Sequence, residues 1–221
     1  MELLLAFAAV LVGAMVQGSV GFGLALVVVP VLALVRPEAL PAVVLLLTMP
    51  MAALWPHGSG AANFAGLLSL LGGRILGTLG GVALLTLIPS GFLSVLFGAL
   101  VFAAVPASLL RLKVSLNIRT KFASGVTSGV IGTAGGVGGP PLALVYQDRS
   151  GPEIRSTLAV AFRVGTGLSL IALFLSGRVG AEHALLTLQL LPGMLLGLFS
   201  TCWIAPLPDI SVLAPRRRYL P

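Results

Sequence analysis

Long apolar runs constrain this chain more than any other feature of its sequence. A helix that crosses the hydrocarbon core of a bilayer needs about 20 mostly apolar residues. Seven stretches qualify, at 3–34, 39–56, 64–88, 91–110, 122–146, 157–176 and 184–206. Only 9% of the 221 residues are charged, against about 25% in soluble domains. The pattern predicts an all-α, polytopic transmembrane helix bundle that forms a single integral membrane domain over 1–221.

The positive charge of the chain lies between the apolar runs. The net charge is +7, and one basic cluster falls in the segment 111–121, at Arg111, Lys113, Arg119 and Lys121. Nucleic-acid binding is not expected, because it needs a basic face with interleaved aromatic residues. Basic loops face the cytoplasm in membrane proteins, so 111–121 is predicted to be cytoplasmic. Counting back four spans puts the N-terminus on the same side.

An internal repeat divides the chain into halves. Residues 68–77 read LSLLGGRILG and residues 188–197 read LQLLPGMLLG, with six of ten positions identical. Gly18-x-x-Gly21 likewise resembles Gly132-x-x-Gly135. Duplicated halves are common in transporters, and we expect two halves of four segments, about 1–110 and 122–206.

The repeat also predicts an eighth span near 211–230. Instead, the tail 207–221 contains Arg216, Arg217 and Arg218 in a row. Adjacent arginines are costly inside the hydrocarbon. The eighth span is therefore expected to be missing, which leaves about seven.

Two glycine-rich motifs interrupt apolar runs and are the first candidate site. Lipid tolerates broken helices only inside protein or along a wet cavity. A half-helix starting at Pro140 would favour an anion through its N-terminal amides and dipole. The alternative is close helix packing through small residues. The predicted substrate-binding residues in these motifs are Gly18, Ser19, Gly21, Phe22, Gly23, Gly135, Gly136, Gly138, Gly139 and Pro140.

Two arginines inside apolar runs, Arg74 and Arg163, complete the candidate site. Intramembrane charges usually face a cavity and mark a pathway, and a guanidinium binds oxyanions through paired donors. The alternative is that these side chains reach the interface or pair structurally. We expect Arg163 to contribute more than Arg74 to anion transport. Interhelical bonding is expected instead for the hydroxyl residues Thr48, Thr127, Ser128, Thr133 and Thr166.

The titratable residues disfavour several other functions. All six carboxylates fall near predicted span ends, which disfavours a cation carrier. The lone Cys202 and the distant His57 and His183 predict no metal site, and no cofactor is expected. His57-Gly58-Ser59-Gly60 superficially resembles part of a serine hydrolase. However, nucleophilic catalysis needs base and nucleophile within hydrogen-bond reach, and His183 is predicted at a span end, so an enzyme is not predicted.

The ordered motifs resemble those of the sulfite exporter TauE/SafE family of permeases. The likeness covers 3 to about 206 and rests on 18–30, on 132–142 with Gly-Gly-Val-Gly-Gly-Pro, and on the segments 71–77 and 191–197. The resemblance implies a multi-pass permease of the bacterial inner (cell) membrane that handles sulfite, sulfonates or thiosulfate. It also implies that the two glycine motifs form the translocation site.

The leading hypothesis is a permease for small anions that works by alternating access around two broken helices. Its partners would be a small anionic solute and the lipid bilayer, and a homo-oligomer is left open. One alternative is a non-transporting or degenerate membrane subunit of a larger complex. An intramembrane enzyme is the other.

Overall fold

The computed structural model describes residues 1–54, 64–88, 115–149 and 151–204, with isolated positions between 89 and 114. This part of the chain is helical and contains no strand, as predicted. The elements are α1 (Glu2–Val20), α2 (Leu24–Val35), a 3-10 turn (Pro37–Ala39), α3 (Ala42–Leu54), α4 (Phe64–Leu87), α5 (Ile118–Gly135), α6 (Gly139–Tyr146), α7 (Gly151–Leu175) and α8 (Ala181–Ile204). The predicted span 91–110 and the tail 207–221, where an eighth span is expected to be missing, fall largely or wholly outside the described residues.

Four of the described helices, α1, α4, α7 and α8, are long and apolar enough to cross a membrane. They also carry large apolar side chains that are 39–69% exposed, including Val12, Val16, Leu76, Leu79, Ile171, Phe174, Leu188 and Phe199. In water this surface would be unfavourable, whereas lipid solvates it. The structure therefore confirms a polytopic helical membrane protein.

Each glycine motif breaks a helix, as the sequence predicts. The first break, residues 21–23, separates α1 from α2, and the second break, residues 136–138, separates α5 from α6. Gly21 and Gly136 both end a helix in the left-handed conformation, with φ of 106° and 76°, which glycine adopts without a steric cost. The equivalent of Gly21 is therefore Gly136, one residue beyond the Gly135 that sequence comparison paired with it.

The chain reverses direction at both breaks. Leu24, at the start of α2, packs beside Gly13, about halfway along α1. At the far end of α2, Arg36 lies 3.5 Å from the Glu2 carboxylate, so α2 returns towards the side where α1 begins. In the second hairpin, Gly138 packs against Ser128, about midway along α5. Both short helices therefore start near the middle of the bundle.

Contacts at the helix ends define two faces of the bundle, side A and side B. Side A holds Glu2, and His183 at the start of α8 lies 3.1 Å from the Glu38 carbonyl there. Arg178 bonds the carbonyl near the end of α4, at Leu85, which places that end on side A as well. The start of α4 lies on side B with the start of α5, because Ser69 bonds the Ile118 carbonyl. Thus α1 and α5, the equivalent helices of the two halves, run in opposite directions.

One sequence prediction is therefore wrong. The N-terminus and the segment 111–121 were expected on the same face. However, Glu2 lies on side A, and Ile118 and Lys121 lie on side B. The count failed because 3–34 was taken as one crossing, whereas the chain turns back at the first break.

A helix of each half packs against a helix of the other half. Gly73 and Gly77 of α4 lie against the backbone of α5, in the second half. Gly193 and Gly197 of α8 lie against the backbone of α1, in the first half. Glycines at this spacing let two helix backbones approach closely. The repeated segments 68–77 and 188–197 therefore occupy equivalent positions.

Two separate hydrophobic cores fill the bundle. The α2 core, on side A, contains Leu24, Val28 and Leu32 together with residues of α1, α3 and α8. The α6 core, on side B, contains Leu142 and Tyr146 together with residues of α3, α4 and α7. Each returning helix thus supplies the centre of one core, and the two breaks lie between the cores.

Candidate functional site

The two breaks meet around a cavity between the α2 core and the α6 core, which we call the central cavity. A side chain added at Gly139 would contact Phe22 Cβ at 3.0 Å, so the breaks touch. The volume of the cavity is about 20 Å³, which is room for about one water molecule. Seven of the twelve predicted site residues line it, namely Phe22, Gly23, Arg74, Gly136, Gly138, Gly139 and Pro140.

Arg74 is the charged residue of the cavity lining. Its side chain is only 1% exposed, so it does not reach the interface. Its Nη1 donates to Ser128 Oγ, and Ser128 Oγ donates to the Gly138 carbonyl at 2.5 Å. This chain of bonds ties α4 to the second break.

Among the described residues that line the cavity, none supplies a counter-ion for the Arg74 charge. The residues that line it include no carboxylate, and Arg74 Nε has no hydrogen-bond partner in the described part of the chain. Burying an unpaired charge costs several kcal/mol even after relaxation. An anion in the cavity would recover part of that cost.

Gln17 brings a second polar side chain to the cavity, from the last turn of α1. It is 3% exposed. Its Oε1 accepts a hydrogen bond of 3.1 Å from the backbone N–H of Leu24, the first residue of α2. The side chain therefore spans the first break.

Arg163 lies outside the cavity lining. Its Nε donates to the Ala52 carbonyl at 2.7 Å. Ala52 lies in the last turn of α3, where carbonyls have no partner within the helix, and a cation there also complements the helix dipole. The contact supports the structural-pairing interpretation for Arg163. Arg74 therefore lines the cavity and Arg163 does not. From the sequence, Arg163 was expected to contribute more than Arg74 to anion transport.

Four predicted glycine-motif residues also lie outside the lining. Gly18 packs against the Thr201 side chain of α8, and Ser19 Oγ bonds the Met15 carbonyl at 2.9 Å within α1. Gly21 ends α1, and Gly135 is the buried last residue of α5. Their contacts are those of helix packing and helix ends.

The sequence prediction did not include several residues that the structure brings to the cavity. Gln17 was missed, although an amide inside an apolar run and next to a break is a usable signal. Thr48 and Thr166 line the cavity, and Ser128 bonds Arg74; interhelical bonding was expected for all three. Thr48 donates within its own helix, to the Val44 carbonyl at 2.7 Å. Among the described residues, no group of three or more His, Cys, Asp or Glu side chains could hold a metal ion.

Comparison with known proteins gives one match. The family model described as TauE, sulfite exporter TauE/SafE, matches residues 5–209. Neither a curated protein nor a solved structure matches the chain significantly. The matched range includes both breaks, Gln17 and Arg74.

Proposed function

Because the chain belongs to the sulfite exporter TauE/SafE family, we propose that it carries small sulfur oxyanions across a membrane through the central cavity. Members of this family are transporters rather than enzymes. Membership implies transport of sulfite-like anions by a protein embedded in the bilayer. The proposal extends this to a binding place, a class of substrate and a mechanism.

The observation that carries the proposal is a buried guanidinium at the meeting point of two broken helices. Arg74 is enclosed with no carboxylate in the lining around it. A guanidinium presents several donors in one plane and suits the oxygens of a sulfite or sulfonate group. Half-helices that begin near the middle of a bundle add N–H groups that favour negative charge.

The two hydrophobic cores suggest how access could alternate. The α2 core lies on side A of the bundle and the α6 core lies on side B, so we propose that these two cores act as the two gates. A cavity of about 20 Å³ is too small for a sulfite ion, so the cavity must widen before the anion binds. In this mechanism, movement of α2 opens side A and movement of α6 opens side B, while Arg74 holds the anion between them.

Flux measurements with arginine variants test this function. Purified protein is reconstituted into liposomes, and the uptake of labelled sulfite and methanesulfonate is followed. Arg74→Leu should reduce the initial rate at least about tenfold, because it removes charged donors to the anion. Arg163→Leu is the matched control, and it should reduce the amount of folded protein more than the rate per folded molecule.

The two outcomes separate clearly. Equal rates per folded molecule for Arg74→Leu and the unchanged chain would contradict a role for the central cavity. Greater loss in Arg163→Leu would restore the order that the sequence alone suggested.

A further inference from the structure

Gln17 has a side chain whose orientation is fixed by the backbone. The Leu24 N–H can only donate a hydrogen bond, so the atom that faces it at 3.1 Å must be the amide oxygen. The other amide atom, Nε2, is therefore an N–H donor. It is buried and has no hydrogen-bond partner within the described residues.

An unpartnered donor at this place needs an acceptor. Nearly all buried polar side-chain atoms in proteins are hydrogen-bonded. Gln17 lines the central cavity, so a solute bound there is in position to supply the acceptor. The hydroxyl groups of Thr48 and Thr166 also line the cavity, but neither accepts a hydrogen bond from Gln17 Nε2.

The two breaks differ in the backbone donors that they offer. The first-turn amides of a helix have no acceptor within the helix. In α2 these include the amides of Ala25 and Leu26, and both residues line the cavity. In α6 the corresponding positions are Pro140 and Pro141, which have no N–H. The first break therefore supplies amide donors, and the second break is accompanied by Arg74 instead.

We propose that Gln17 Nε2 donates a hydrogen bond to an oxygen of the transported anion and thereby helps to select oxyanions. This inference rests on the proposed function, because it concerns the same cavity. The anion is held between the Arg74 guanidinium and a group of N–H donors made by Gln17 and the start of α2. Because all these groups donate, an oxygen that carries a proton is disfavoured. The class of ligand is a fully ionised oxyanion such as a sulfonate.

Gln17→Glu is the sharpest test, because it keeps the side-chain length and the oxygen that accepts from Leu24. It replaces the donor with a carboxylate oxygen. At about pH 7.5, where a carboxyl of ordinary pKa is ionised, the KM for methanesulfonate uptake should rise about 10- to 100-fold, as expected for the loss of a hydrogen bond to a charged group. Gln17→Met, which removes the donor without adding charge, should raise the KM at least about tenfold.

A pH series distinguishes lost donation from general damage. Methanesulfonate is the anion of a strong acid and keeps its charge as the pH falls. Towards about pH 4.5 the introduced carboxyl becomes partly protonated and can donate again. Among the described residues that line the cavity, the charged one is Arg74. The KM of Gln17→Glu should then fall towards the wild-type value, while the KM of Gln17→Met should not respond.

Gln147→Glu is the control, because it makes the same change of charge outside the cavity lining. Gln147 lies next to the end of α6. The KM of this control should stay within about twofold of wild type. Melting temperatures in detergent identify any variant that does not fold. An unchanged KM in both Gln17→Glu and Gln17→Met would overturn this inference even if Arg74→Leu abolishes transport. If the wild-type protein moves no sulfur oxyanion at all, the proposed function fails, and this inference fails with it.

Discussion

The Arg74 side chain occupies its position only because α7 has a glycine beside it. A side chain added at Gly165 would overlap Arg74 Nε, whereas one added at Gly167 would meet nothing within 4 Å. Both glycines belong to the same helix, two residues apart. An alanine substitution at each position therefore has the same helical context. Any difference between the two substitutions reflects the space that the Arg74 side chain needs.

This difference gives a prediction at the residue scale. Gly165→Ala should displace the guanidinium and lower the free energy of unfolding by about 1–3 kcal/mol, the usual cost of overpacking. It should also reduce anion uptake per folded molecule. Gly167→Ala should be neutral or slightly stabilising, because alanine favours a helix by up to about 1 kcal/mol over glycine.

Thermal melting in detergent and liposome uptake, measured on both variants, check this prediction. Equal behaviour of the two alanine variants would show that Arg74 does not depend on the gap in α7.

At the scale of elements, the two halves meet through equivalent pairs of helices. Gly77 of α4 lies on the Val126 carbonyl of α5, and Gly197 of α8 lies on the Leu11 carbonyl of α1. A second contact, between a glycine and a threonine, also occurs at both interfaces. Thr133 of α5 faces a glycine of α4, and Thr201 of α8 faces a glycine of α1. Both interfaces therefore contain the same glycine–threonine contact. In one interface α4 carries the glycine, whereas in the other the equivalent helix α8 carries the threonine.

The equivalence predicts that matching substitutions have matching effects. Gly77→Ala and Gly197→Ala should each destabilise the protein by about 1–3 kcal/mol, because the added methyl group would push the backbones apart. Gly72→Ala is the control, since its nearest neighbour would be a Phe122 ring carbon at 4.0 Å, and it should leave the melting temperature nearly unchanged.

Melting curves of the three alanine variants in one detergent test this. A large effect of Gly77→Ala with none of Gly197→Ala would argue against equivalent roles for the two interfaces.

For the whole molecule, the opposite directions of α1 and α5 relate the halves as an inverted repeat. Such repeats commonly place a binding site where half-helices meet near the bilayer midplane. Ile118 and Lys121 of the basic segment 111–121 lie on side B, whereas Glu2, Glu38 and Glu182 lie on side A. The positive-inside rule then predicts that side B faces the cytoplasm and that the N-terminal end of α1 lies on the opposite face.

Cysteine labelling tests this orientation. The native Cys202 is first replaced by serine, and single cysteines are introduced as Glu182→Cys on side A and Ser115→Cys on side B. A maleimide that cannot cross membranes should label the first variant in intact cells. It should label the second only after permeabilisation.

Labelling of both variants from the same side would contradict the inverted arrangement. The reversed pattern would keep the arrangement and change only which face is cytoplasmic.

Local composition alone determined the class of this protein and the positions of its breaks. Lipid offers backbone groups no hydrogen-bond partners, so long apolar runs predict helices wherever they occur. Glycine clusters such as Gly21–Gly23 and Gly136–Gly139 predict where those helices stop. The buried charge at Arg74 was visible in the sequence for the same reason, since an arginine within an apolar run stands out.

Only the tertiary structure decided which way the chain runs after each break and which polar groups meet. A glycine break permits a helix either to continue or to reverse, and packing against other helices selects between the two. The partners of Arg74 and Gln17 follow from that selection, because Ser128 lies 54 residues from Arg74 along the chain and Gln17 bonds across the turn to Leu24. Composition determines whether each segment lies in lipid or in water. The contacts that form the cavity exist only once both hairpins have folded back.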